Sequence, residues 1–155
     1  MTGKTNTPRI LICSVHGALR YLAAHLGGTA DVRYPENHNT FAVISLQDSP
    51  PNQYGFVCTE SRYCEGVLTL TVDDITGPCS GLQLMTAEHA QQIIAFLDRH
   101  RGVSELLIHC RAGISRSAAV GAFAREYYGQ PPFSERDAYI PNAYIYQLLC
   151  RENHA

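Results

Sequence analysis

No apolar run in this 155-residue chain is long enough to cross a bilayer, so a membrane-spanning helix is not expected. Neither sign of charge is in excess. Twelve Lys and Arg against fourteen Asp and Glu leave a net charge of −2. No broad field therefore draws the chain to nucleic acid or to a membrane surface, and any anion site has to be local. The six cysteines (Cys13, Cys58, Cys64, Cys79, Cys110 and Cys150) contain no Cys-x-x-Cys pair and no zinc-ligand spacing. The pattern thus implies no metal and no cofactor. The opening residues, Met1 to Arg9, are polar and lack the apolar core of a secretory signal. Reduced thiols in the cytoplasm are then expected rather than a disulfide framework. Internal repeats and domain linkers are missing too. One domain over residues 1–155 is expected, with residues 1–8 flexible, and 45% hydrophobic residues are enough for a real core.

What is present is an alternation of strand-like and helix-like runs. Arg9 to Val15 reads as a buried strand, and Gly17 to Leu26 follows at helical spacing until Gly27-Gly28. Asp31 to Thr40 is polar and irregular. Phe41 to Leu46 is a second strand, broken by Asp48-Ser49-Pro50-Pro51-Asn52. Between Gln53 and Gly66 the aromatics Tyr54, Phe56 and Tyr63 read as core cover more readily than as lining of a site. Val67 to Val72 alternates as a strand does and ends in Asp73-Asp74. Thr86 reads as a helix cap, with Met85 and Ala90 as a staple across it. Ala90, Ile93, Ile94 and Leu97 fall on one helical face, and Gly102 ends that helix. Pro141-Asn142 opens a last helix carrying Ile145, Leu148 and Leu149 on one side. The expected class is α/β: a central, largely parallel sheet flanked by helices, with chemistry at the carboxyl ends of its strands.

The most informative stretch is Ile108-His109-Cys110-Arg111-Ala112-Gly113-Ile114-Ser115-Arg116-Ser117. It joins the apolar run at Leu106 to a helix-like run beginning near Ile114. Cys110 and Arg116 are separated by five residues. A loop of that length can curl its backbone N–H groups (Arg111, Ala112, Gly113, Ile114 and Ser115) around three phosphate oxygens. The guanidinium of Arg116 returns to the rim, where its fork can hold two of them. The sulfur of Cys110 is left under the phosphorus. A helix N-terminus and an arginine both favour its thiolate form. Gly113 permits a tight turn. The hydroxyl of Ser117 can donate to the sulfur and ease its departure from a phospho-enzyme.

His-Cys-x-x-Gly-x-x-Arg-Ser resembles the signature of the cysteine-based protein tyrosine phosphatases. In its closer form, His-Cys-x-Ala-Gly-x-Ser-Arg-Ser, it is similar to their compact dual-specificity branch. The resemblance implies a phosphate-binding Cys-x5-Arg loop between a strand and a helix. It implies Cys110 as nucleophile, with Arg116, Ser117 and His109 in support. His109 would orient the loop and support the thiolate, a role compatible with a buried, hydrogen-bonded histidine. It also implies a carboxylic acid on an earlier loop that protonates the leaving oxygen. Asp74 is the choice for that acid, with Asp73 as the alternative. Glu88 suits the first turn of its helix instead. Phe41 to Leu46 and the segment from Ile140-Pro141-Asn142 to Gln147-Leu148 are similar to family elements. Asn142 would brace the loop region there, or simply cap its helix. No counterpart of the phosphotyrosine recognition segment of the longer enzymes is visible, which implies a shallower pocket. Arg111 reads equally as an attractor of acidic peptides or as a solvated charge. Ala112 and Ile114 argue against an inositol phosphate.

The expectation is a metal-independent protein phosphatase for phosphotyrosine, with phosphoserine and phosphothreonine as further substrates. Its partner is a phosphorylated protein or peptide. The rival is a phosphopeptide-binding module that keeps the loop without turnover. A sulfur-transfer or arsenate-reducing protein fits the His-Cys and Arg-Ser flanks less well. Among the cysteines, Cys58, Cys64 and Cys79 are candidates for a transient disulfide with Cys110.

Overall fold

The apolar runs form four parallel strands because each is short and rich in branched side chains, and the two central ones are buried at every residue. The computed structural model of the chain describes residues 6–25, 39–54 and 58–155. The strands are β1 (Arg9–Cys13), β2 (Phe41–Gln47), β3 (Cys64–Thr71) and β4 (Glu105–His109), in the spatial order β1-β4-β2-β3. β4, which leads into Cys110, is therefore central. It pairs in register with β1 on one side and with β2 on the other. The helices are α1 (Val15–His25), α2 (Ala87–Arg99), α3 (Arg116–Tyr127) and α4 (Ala143–Asn153), with a short 3-10 turn at Glu135–Asp137.

Alternation along the strands divides the core into two layers. Ala42, Ile44, Leu70, Leu106 and Ile108 face a large cluster completed by Ile93 and Leu97 of α2, Val120 and Phe123 of α3, and Ile145 and Leu149 of α4. Phe41, Val43 and Leu107 face the opposite way, with Ala18 of α1, Cys58 and Cys64. Each fully buried Ile or Leu contributes about 2 kcal/mol relative to leaving it exposed.

Several element ends differ from the sequence reading. β1 stops at Cys13, and α1 already starts at Val15. The Ser14 hydroxyl accepts the Gly17 N–H at 3.2 Å, which closes the first turn early. β3 starts at Cys64 rather than Val67. Phe41 pairs with Cys64 and Ala42 with Gly66, across a register shift. α3 starts at Arg116, two residues after Ile114, because the loop needs Gly113 at φ 77° and extends through Ser115. The Thr86 cap is as read, and His89 answers it: the Thr86 N–H donates to Nδ1 of His89 at 3.1 Å. The breakers Gly27-Gly28 and most of the irregular stretch from Asp31 to Thr40 lie outside the described residues. So do residues 1–5 of the expected flexible start, whereas the Gln130 amide donates to Thr7 and Pro8 at 2.9 and 2.7 Å.

Candidate active site

All four strands deliver their carboxyl ends to one place, as parallel sheets do. β4 leads into Cys110, β2 into Asp48, β3 through Val72 into Asp73 and Asp74, and β1 into Ser14.

Cys110 is 2% exposed. Its Sγ accepts the backbone N–H of Gly113 at 3.2 Å and lies 3.2 Å from the Ser117 hydroxyl. Burial alone would push the thiol up. The hydroxyl and backbone N–H of Ser117, the Gly113 N–H and the charge of Arg116 outweigh it, so the thiol lies below its ordinary value. Gly113 is obligatory. A Cβ there would stand 2.5 Å from the carbonyl carbon of Cys13 and from the nitrogen of Ser14, at a φ that side chains avoid. The loop therefore leans directly on the end of β1, and the Val15 N–H donates to the Arg111 carbonyl at 3.2 Å.

Arg116 is buried and held from behind. Its Nη1 donates to Asp48 at 2.5 Å and to the Val72 carbonyl at 2.8 Å, while Nη2 is 3.4 Å from the Tyr54 hydroxyl. Nε is buried and has no hydrogen-bond partner. A buried guanidinium N–H without a partner is costly, and an anion in the loop would satisfy it. Burial works against the charge of Arg116, but Tyr54, Asp48 and Cys110 hold it protonated beyond its ordinary value. Asp48 was not singled out from the sequence. The signal was available, because it stands immediately after a parallel strand. Asp48→Asn should lower kcat/KM for p-nitrophenyl phosphate by about 10- to 100-fold, since the guanidinium would lose its rear anchor. Vanadate inhibition, measured alongside, should weaken by a comparable factor.

The two neighbouring aspartates have separate tasks. Asp73 is 5% exposed and accepts the N–H and hydroxyl of Ser49 at 3.0 and 2.5 Å and the Gln83 N–H at 2.7 Å. Burial raises its carboxyl and these donors lower it, with a net shift downward. It is a structural clamp between two loops. Asp74 is exposed and turned to the signature loop. Its Oδ1 accepts the Ser115 hydroxyl at 2.8 Å and the Asn142 amide at 2.9 Å. Asn142 fills both of its anticipated roles, because its Oδ1 also caps α4 through the Ile145 N–H at 3.0 Å. Ser115, at the cap position of α3, makes no side-chain cap and spends its hydroxyl on Asp74 instead.

His109 is fully buried. Burial, with Arg116 adding to it, outweighs a backbone contact at Cys110 and lowers the imidazole to about 4. The ring is therefore neutral near pH 7 and lends the sulfur no positive charge. Arg111, its side chain 54% exposed, is a partly solvated charge that is already paired on the protein's own surface. Its Nε donates to Asp48 at 2.6 Å, its Nη2 donates to the Asn52 carbonyl at 2.5 Å, and its guanidinium lies 5.2 Å from the centre of the Tyr54 ring. Tyr54, expected in the core, thus stands in the wall of the site. Phe56 lies outside the described residues, and Tyr63 packs on the α1 layer. Ala112 and Ile114 are exposed on the loop's outer side. Cys58 and Cys64 belong to the layer opposite Cys110, and Cys79 is exposed. The cysteine whose charge couples to Cys110 is Cys13 of β1, whose thiol burial pushes up to about 12.

Beside the loop opens a cleft of about 350 Å³ lined by Asp48, Asp73, Asp74, Leu82 and Arg111 among others. The assembly can hold a tetrahedral anion over a sulfur, with a carboxylate on the far rim. No group of His, Cys, Asp and Glu among the described residues could hold a metal ion. No described helix is long and apolar enough to cross a membrane.

No protein-family model matches the sequence, and no curated protein matches it significantly. Solved structures do share its fold. Human DUSP28 superposes with a TM-score of 0.51 at 19% identity, covering 95% of this chain and 92% of its own. Tk-PTP in the active form does so with a TM-score of 0.53 at 17% identity over 99% of both chains. The human tyrosine phosphatase-like serine/threonine/tyrosine-interacting protein gives 0.50 at 20% identity over 86% and 87%. The single α/β unit with its four-stranded parallel sheet is thus the fold these proteins have.

Proposed function

We propose that this chain, which has the fold of dual-specificity and tyrosine phosphatases, is itself a protein phosphatase working through a cysteinyl-phosphate intermediate. The observation that carries the reading is the buried, unpartnered Nε of Arg116 at the rim of a loop whose sulfur is held toward its thiolate form.

The thiolate of Cys110 attacks phosphorus and forms the S–P bond as the ester P–O bond breaks. Asp74 gives its proton to the departing oxygen. Arg116 and the N–H groups from Arg111 to Ser115 hold the equatorial oxygens, whose charge the transition state redistributes. A water, deprotonated by Asp74, then breaks the S–P bond and releases phosphate. The Ser117 hydroxyl stabilises the returning sulfur anion. His109 and Asp48 act through others: the first as a neutral buried strut beneath the loop, the second by aiming Arg116. Phosphorylated protein or peptide is the substrate class, phosphotyrosine first and phosphoserine or phosphothreonine also. Six unbridged cysteines suit a cytoplasmic setting that keeps thiols reduced.

Release of p-nitrophenol from p-nitrophenyl phosphate tests the reading. No release anywhere between pH 5 and 8 would refute it. Asp74→Ala separates the acid role from simple loop support. Phenyl phosphate, a poor leaving group, should lose about 100-fold or more in kcat, and p-nitrophenyl phosphate several-fold. Equal losses would take the acid role away from Asp74.

A second reading, a phosphopeptide-binding module without turnover, draws on the neighbour named as phosphatase-like and interacting. Here Cys110, Arg116 and Asp74 are all present, which favours turnover. Binding of a phosphopeptide in a calorimeter with no phosphate released would support the module.

A further inference from the structure

Large apolar side chains are exposed at four described positions: Leu19, Leu82, Ile114 and Ile140. Three of them follow one rim. Leu82 (41% exposed) lines the cleft beside Asp74. Asp74 bonds Ser115, the neighbour of Ile114 (45% exposed). The carbonyl of Ile114 accepts the N–H of Ile140 (72% exposed) at 2.8 Å. Scattered exposed leucines mean little, but a row beside a chemical site marks a contact surface.

The charge of the cleft points the same way. Three of its lining residues are aspartates, and its lining cation, Arg111, is committed to Asp48 and to the Asn52 carbonyl. An acidic side chain arriving next to the phosphate would meet the carboxylates of Asp48 and Asp73, with no uncommitted cation among the described lining residues. Like charges brought together in this way select against a partner.

Resting on the phosphatase reading above, we infer that the site takes a phosphorylated peptide segment whose neighbouring side chains are apolar, tolerates basic ones and rejects acidic ones. Leu82 and Ile140 are the specificity-determining side chains, at the two ends of the rim. The peptide is favoured over a bilayer because the anionic headgroups of a membrane would face the same aspartates.

The test uses three phosphotyrosine peptides that differ only in carrying Leu, Lys or Asp on both sides of the phosphoresidue. Phosphate release is followed at an ionic strength of about 0.1 M, where contacts beyond about 10 Å are screened. p-Nitrophenyl phosphate, run in parallel, reads the anion seat alone. The Leu peptide should exceed the Asp peptide about tenfold in kcat/KM, with the Lys peptide also above it. In Leu82→Ser/Ile140→Ser the Leu-to-Lys ratio should fall toward one. An Asp peptide turned over as well as the Leu peptide would overturn the inference, as would a Leu-to-Lys ratio that survives the double substitution. In either case continued hydrolysis of p-nitrophenyl phosphate would leave the phosphatase standing. Turnover of phosphorylated lipid in vesicles with none of the three peptides would overturn the inference in favour of a membrane substrate. No hydrolysis of any substrate, p-nitrophenyl phosphate included, would overturn both.

Discussion

Replacing Cys110 with serine should abolish hydrolysis of p-nitrophenyl phosphate, with a loss of at least about 10⁴-fold in kcat. The oxygen of a serine at that position would be bound by the same donors. The Gly113 N–H and the Ser117 hydroxyl both lie 3.2 Å from the present sulfur. They favour an anion, but an alcohol ionises so far above neutrality that they cannot make one. Stability should respond in a distinctive way. The Cys110 thiol is lowered in the folded chain, against about 8.5 when unfolded. Between the two values the native state binds fewer protons than the unfolded state, so stability rises with pH across that window. The contribution is complete above the unfolded value and is lost as pH falls through the folded one. The wild-type Tm should therefore gain on that of Cys110→Ser between pH 6 and 9. The rate of alkylation by iodoacetamide, followed over the same range, should show its inflection below that of a free thiol. An inflection at the free value would remove the electrostatic basis of the site.

Arg116→Lys should cost about 10³-fold in kcat/KM for the same ester, although the charge is kept. The guanidinium is gripped at Nη1 by Asp48 and the Val72 carbonyl, which leaves Nε without a partner and free for the anion. An ammonium group has one nitrogen for all of these tasks. It would satisfy Asp48 or the anion, but not both at their present positions. Vanadate, which needs the planar fork and no leaving group, should lose most of its inhibition. If it inhibits the lysine variant as strongly as the wild type, Arg116 is not part of the anion seat.

The loop was readable from sequence because its chemistry is local. Cys110, Gly113, Arg116 and Ser117 stand within eight positions, and a strand run and a helix run frame them. Asp48 and Tyr54 act on the same guanidinium from more than sixty residues away. Their approach depends on β2 lying beside β4, a pairing that no periodicity reveals. Asp73 and Asp74 show the intermediate case. Sequence narrowed the acid to two adjacent carboxylates. In the loop after β3 the first turns inward to Ser49 and the second outward to Ser115, and that direction required the fold. The early start of α1 was hidden for a similar reason, because its first turn is closed by Ser14, which reads as the tail of a strand.

The contact of Gly113 with Cys13 and Ser14 makes β1, the outermost of the described strands on that side, a support of the loop that carries the sulfur. An edge strand is the part of a sheet that frays most readily. Here its fraying would drop the support from under the nucleophile while the other three strands stayed paired. On the proposed function, mild warming or a weakened β1 should therefore lower turnover before the circular dichroism of the helices changes.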